Sequence, residues 1–234
     1  MAPEAATDSD AGVSLAAAPD AHPVQALYED ADLLVLHKPA GLLCVPGRGP
    51  DKQDCLSARA QQRWPGALIV HRLDQATSGL VLMARHLDTQ RRLSQAFAER
   101  QVHKRYQAVV QGLVGVEDPE AWNEIDLPIA ADWARRPLRV IDPTLGKPSL
   151  TRWRVQRHDA AARTTHLELE PVTGRTHQLR VHLAAIGHPI LGDALYADAA
   201  TQAQAPRLLL HASHLAFAHP ATGAWMALGW AAEF

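Results

Sequence analysis

Apolar residues fall in short runs along this chain, broken by Pro, Gly and small polar residues. Residues 33–37 form one such run. Lys38-Pro39-Ala40-Gly41 then forces a turn, and residues 42–45 resume before Pro46-Gly47, which predicts two short strands around a Pro/Gly turn. Residues 54–63 read as a helix that stops before Pro65. Residues 67–73 and 80–84 are β-prone runs separated by the polar loop 74–79. Asp88 reads as the N-cap of a helix running to about Arg100, with Leu93 and Phe97 at i, i+4 on one face.

Residues 106–110 predict another strand, ended by Gly112. The stretch 114–142, with its many Pro and Trp, reads as irregular with short strands. Residues 150–157 and 164–172 alternate; in the second, Leu167 and Leu169 point inward between His166, Glu168 and Glu170. Thr173-Gly174 introduces a helix whose face is Leu179, Leu183 and Ile186, stopped by Gly187 and Pro189. Residues 208–210 and 215–217 supply two late strands. Strands dominate, and the few helices do not alternate regularly with them. The expected class is α+β with a central mixed, mostly antiparallel sheet, not a doubly wound parallel one.

At 234 residues, 47% hydrophobic and 21% charged, the chain has ordinary globular usage and enough apolar surface for a sizeable core. Cys44 and Cys55 fit neither a disulfide framework nor a metal-ligand spacing and read as two reduced thiols. Residues 1–22 read as a disordered acidic tail, and residues 23–234 as one catalytic unit. The tail has acids where a secretory signal would carry bases, and no stretch has the length to span a bilayer. The expectation is a cytoplasmic protein with no membrane association. Net charge is −2, an obstacle for any nucleic-acid reading. Glu4, Asp8, Asp10 and Asp20 account for much of it, and setting them aside leaves residues 21–234 at +2. An RNA footprint must therefore be a local clustering of charge.

Three stretches carry candidate chemistry. In His71-Arg72-Leu73-Asp74-Gln75-Ala76-Thr77-Ser78-Gly79 a carboxylate follows a β-prone run and enters a small polar loop, where rigid scaffolds present catalytic groups. The same residues would equally serve a turn capped by Asp74 with Arg72 paired on the surface. A kinase-like reading lacks both a Gly-rich phosphate loop and an Asp-Phe-Gly. In Lys104-Arg105-Tyr106-Gln107-Ala108-Val109-Val110 a tyrosine heads an apolar strand beside basic residues. In Thr173-Gly174-Arg175-Thr176-His177-Gln178-Leu179-Arg180-Val181-His182 the expected helix start puts Arg175 in the first turn, against the helix dipole. That placement predicts a carboxylate partner elsewhere. The histidines do not form metal spacings: His177 and His182 are five apart and no His-Glu-x-x-His occurs.

Together these motifs resemble the RluA family of pseudouridine synthases. HRLDQATSGL is similar to the block around that family's catalytic aspartate, KRYQAVVQG to its active-site tyrosine strand, and GRTHQLRVHLAAIGHPILGDALY to its arginine-bearing helix and following loop. His37-Lys38-Pro39 with Gly41-Leu42, and Leu208-Leu209-Leu210-His211-Ala212, resemble further blocks, with His37 where Asn is common. Order across five blocks is far more specific than any one of them. The resemblance implies a sheet in two halves with a cleft between them. It implies Asp74 as the essential carboxylate, acting on sugar, on base, or on a sugar proton. Arg175 would pair with Asp74, and Tyr106 would stack on the uracil near C5. Leu179, Thr77 and His71 would line the pocket, and Arg72 would fill the space left by a flipped base. Arg105 and Arg136, with Arg91, Arg92, Lys104, Arg135, Arg139, Arg152 and Arg154, would contact phosphates.

Within the family, Val45-Pro46-Gly47-Arg48, Asp126-Leu127-Pro128, Asp132-Trp133 and Arg136-Pro137 resemble the short dual-specificity type that modifies 23S ribosomal RNA and transfer RNA. The implied partners are stem-loops of 23S rRNA and tRNA (the anticodon stem-loop). The chain would act without metal, cofactor, S4-type domain or obligate protein partner, as a monomer. A docking module without catalysis would carry a neutral replacement at Asp74, Tyr106 or Arg175, and all three are present. A serine hydrolase would need a Gly-x-Ser-x-Gly elbow, and Ser78 before Gly79 has no such context.

Overall fold

The computed structural model describes residues 24–234 except 117 and 119, so the expected acidic tail lies outside the described residues. The first part of the chain gives β1 (Gln25–Glu29), β2 (Leu33–Lys38), α1 (Leu56–Arg63), β3 (Leu68–Ile69), β4 (Ser78–Ala84) and α2 (Leu87–Ala98). The second gives β5 (His103–Gln111), β6 (Asn123–Asp126), β7 (Ile129–Ala131), β8 (Arg139–Ile141), β9 (Leu150–Asp159), β10 (Thr164–Pro171) and α3 (Gln178–Ala185). It ends with α4 (Ala199–Gln202), β11 (Leu210–Ala218) and β12 (Trp225–Gly229).

Ten strands form one sheet in the order β1-β2-β4-β11-β5-β10-β9-β6, with β12 on β11 and β3 on β4; β7 and β8 pair separately. Among the paired strands, β4 and β11 run parallel and the others antiparallel, so the sheet is mixed and mostly antiparallel as expected. The parallel contact spans two residue pairs, His211 with Ser78 and Ala212 with Gly79. Gly79 has φ +116°, and a Cβ there would collide with the Ala212 backbone. Glycine is what lets these strands approach.

The two halves are buried differently, and the sequence pattern shows why. In β2, Leu34 and Leu36 join one core cluster with α1 while Leu33 and Val35 join another with α2 and β11. A strand covered on both faces needs apolar residues at every position, hence the unbroken run. In β10, Leu167 and Leu169 enter a third cluster with Val110, Trp153, Leu179 and Leu183, while Glu168 and His166 stay on the other face. One covered face gives alternation.

Several expected boundaries move. The ladder on residues 67–73 is confined to Leu68–Ile69, so Asp74 hangs from an extended segment rather than a strand end. Residues 42–45 make one isolated bridge, Leu43 to Cys55. The two late strands are one, β11, and β1, β12 and α4 were not anticipated. Their half-exposed or very short segments carry little periodic signal. His86, not Asp88, caps α2, accepting from the Thr89 N–H at 3.4 Å. Finally, α3 begins at Gln178, so Arg175 lies in the turn before it and meets no adverse dipole.

Candidate active site

The Asp74 loop is pinned from the β2 side. Lys38 is fully buried, and its three ammonium protons are taken by Pro39 O and Leu42 O, both at 2.8 Å, and Gln75 O at 3.1 Å. Gly41 N–H donates to Gln75 O at 2.8 Å, and the Gln75 side chain returns a bond to Gly41 O. Thr77 N–H donates to Asp74 O at 3.1 Å, closing the turn. Next to it, Leu73 N–H reaches Cys44 Sγ at 3.2 Å. These contacts fix where the Asp74 carboxylate starts.

From the opposite wall, α3 delivers a guanidinium. Arg180 is 4% exposed and forks onto fully buried Asp193, with Nε to Oδ2 at 2.8 Å and Nη2 to Oδ1 at 2.6 Å. Asp193 Oδ1 also accepts from Leu195 N–H and Tyr196 N–H. The remaining nitrogen, Nη1, faces Asp74 Oδ2 at 4.0 Å. This corrects the expected pairing of Arg175 with Asp74: Arg180 holds that place, and Arg175 instead donates to Pro148 O at 3.3 Å. The wrong helix start misdirected the choice. The missed signal was Arg180 itself, a charge set between Leu179 and Val181 on a buried helix.

His177 completes the wall. It sits in the left-handed region at φ +57°, a conformation that costs energy unless its surroundings enforce it. Tyr196 Oη accepts from Arg139 N–H at 2.9 Å and shares a hydrogen bond with His177 Nδ1 at 2.7 Å. The other ring nitrogen, Nε2, lies 3.9 Å from Asp74 Oδ2. Burial holds the imidazole below its ordinary range, against the pull of Asp74 and with the push of Arg180, which keeps it neutral. His177, Arg180, Asp193 and Tyr196 were all outside the site expected from sequence.

Tyr106 stands between the two halves, packed against both the β10–α3 core and the β2–α1 core. Burial pushes its phenol up strongly and the Asp74 charge adds to this, so it stays protonated. His71, Arg72, Asp74, Thr77, Tyr106, Arg175 and Leu179 line one cavity of about 300 Å³, with Arg180, Leu210 and Lys104. That volume is at the lower end for small-ligand sites. His71 is committed to structure: its Nε2 accepts from Leu82 N–H at 2.9 Å, its ring stacks on Phe97, and burial lowers it to about 3. Arg72 is exposed and makes no hydrogen bond or ion pair with any described residue.

Two expected phosphate contacts are not at this cavity. Arg105 follows strand alternation onto the face opposite Tyr106, where it pairs with Glu168 at 3.2 Å and covers Trp122. Arg136 stacks on exposed Trp133 at 4.0 Å, in the loop between β7 and β8. Arg91, Arg135, Arg152 and Arg154 each pair with a carboxylate. Among the described residues, Asp30, Asp32 and His219 lie close enough to hold a metal, and none of them lines the cavity. No helix among them is long and apolar enough to cross a membrane.

Comparison with known proteins agrees with this architecture. Residues 32–185 match the family described as RNA pseudouridylate synthase. The dual-specificity RNA pseudouridine synthase RluA of Escherichia coli K12 is 44% identical over 208 residues, 89% of this chain and 93% of that protein. The RluA protein of Yersinia pestis is 43% identical over 89% of this chain and 98% of its own length. Human RNA pseudouridylate synthase domain containing 1 superposes with a TM-score of 0.74 at 29% identity, covering 90% of this chain and 84% of that one. At this identity and coverage, the chain belongs to the RluA family of RNA pseudouridine synthases.

Proposed function

We propose that this enzyme isomerises uridines in stem-loops of both 23S ribosomal RNA and transfer RNA, with Asp74 as the essential carboxylate. The observation that carries the role of Asp74 is its setting: 28% exposed, facing Arg180 and His177, in a cavity walled by Tyr106 and Leu179. The two-substrate reading draws on the dual specificity named for relatives at 43–44% identity. We place the enzyme, as a monomer, in the cytoplasm with its RNA.

The reaction breaks the N1–C1′ bond, forms C5–C1′, releases the C5 proton to solvent and leaves N1 protonated in its place. Breaking the glycosidic bond builds positive charge at C1′, which an adjacent anion stabilises or attacks. Arg180 aims that anion, and the neutral Tyr106 ring offers a stacking face for uracil. Arg72, exposed at the cavity and unpaired among the described residues, fills the stack when the base leaves it. Substrate and product are isomers, so no co-reactant is consumed, and turnover is expected to persist after exhaustive EDTA treatment. The test is tritium release from RNA labelled at uracil C5, with pseudouridine mapped on an anticodon stem-loop and on a 23S hairpin. Modification of one hairpin alone removes dual specificity. Release by a folded Asp74→Asn protein at the wild-type rate removes Asp74 from the mechanism.

A further inference from the structure

We propose that a second, basic cavity adjoining the active site binds the RNA backbone phosphate next to the target uridine, with Lys104 as its central charge. The proposal rests on the reading above that the substrate is RNA. This cavity, of about 440 Å³, shares Phe97, Lys104, Pro171, Thr173, Gly174 and Arg175 with the catalytic one, so the two are continuous.

Sequence explains why the gap exists. The ladder between β5 and β10 ends at Tyr106–Leu169. The next position opposite Lys104 is Pro171, which has no N–H to offer, and β5 pairs onward with β11 alone. Lys104 lies on the Tyr106 side of the strand, at the mouth of this split.

Lys104 differs from Lys38 in what surrounds its ammonium. Lys38 is buried with all three protons bonded to carbonyls. Lys104 is also largely enclosed, and burial lowers its amine below the ordinary range. Its Nζ makes no hydrogen bond or ion pair with a described residue; its contact is the Phe97 ring, 5.9 Å to the centroid. A partly desolvated ammonium that no protein group accepts from is well placed to receive an anion. Arg100 and Arg175 add charge of the same sign around the cavity, against one carboxylate, Glu170. RNA threading a uridine into the catalytic cavity must bring its adjoining phosphodiester past this ammonium, and that group supplies the charge and acceptor oxygens the site lacks.

The experiment uses the full chain and a hairpin substrate carrying one neutral methylphosphonate, placed 5′ or 3′ of the target uridine. For wild type, one of the two placements weakens Kd about tenfold, the worth of one charge-assisted bond. Lys104→Met weakens binding of unmodified RNA similarly but loses little more on the methylphosphonate. Lys104→Arg restores most of the affinity and the sensitivity to methylphosphonate. Additive losses for variant and methylphosphonate, or no loss at either placement, overturn the pocket while leaving pseudouridine formation intact. A Lys104→Met effect on kcat alone overturns it equally, since that would put the amine at the chemistry. Should Lys104→Met fail to fold, Lys104→Gln carries the same comparison. Wild type that binds the hairpin yet never forms pseudouridine overturns the functional reading and this proposal together.

Discussion

Arg175 and Arg180 stand five residues apart and divide two jobs that sequence reasoning had given to one. Arg180→Leu strands the fully buried Asp193 carboxylate and should destabilise the protein by about 3–5 kcal/mol, read from urea melts. Arg175→Met removes an exposed side chain bonded to one backbone carbonyl and should leave the melt within about 0.5 kcal/mol of wild type. Equal losses for the two would contradict the geometry. Asp74 and Tyr106, which the resemblance singled out and the residue pattern alone left open to blander readings, line the same cavity. Arg180, Asp193 and the His177–Tyr196 pair were not legible, because each is defined by a partner at least thirteen positions away. Motif reading selected Arg175 on a local clash with a dipole that the true helix boundary removes.

Among elements, the joint between β4 and β11 is narrow, and the histidines beside it are acid-sensitive. Gly79→Ala must either move β11 or adopt a positive φ with a side chain against Ala212, and should cost more than about 3 kcal/mol in a denaturant melt. His211 lies against this joint, with Nδ1 at Ser78 Oγ and Nε2 at Trp230 O, while His71 receives the Leu82 N–H of β4. Burial lowers His211 to about 4 and His71 to about 3 from an ordinary 6.5. The unfolded chain binds these protons first as pH falls, so stability present at pH 7 is lost progressively below pH 6.5. These two histidines alone should contribute about two protons, or roughly 2.7 kcal/mol per pH unit, near pH 5, with His37, His166, His177, His182 and His214, all lowered as well, adding in the same direction. Denaturant melts from pH 7 to pH 5 check this; His71→Gln should remove about one of the two protons, and an unchanged slope would refute the assignment. Strand existence was legible wherever burial set the period, as in β2 and β10. The shortness of β3 and the unity of β11 were not, because pairing partners, not propensity, set where a ladder stops.

At the scale of the whole molecule, a chain of net charge −2 is expected to bind a polyanion through clustered cations. Affinity for an isolated hairpin should fall steeply between 50 and 200 mM salt, with a log–log slope equivalent to several phosphate contacts. Titration by fluorescence anisotropy measures it, and a flat response would argue against phosphate-led recognition. Fold class was legible in full because strand dominance and the scattered helices are properties of the whole pattern. Sheet order was not, since nothing in a linear pattern says that the late strand β11 lies between β4 and β5. That placement matters during synthesis. Until residues 210–218 clear the ribosome, β4 and β5 each present an open edge with nothing to bridge them, and Tyr106 has no fixed station opposite Asp74. A nascent chain stalled before Leu210 should therefore be protease-sensitive across both halves and unable to modify RNA.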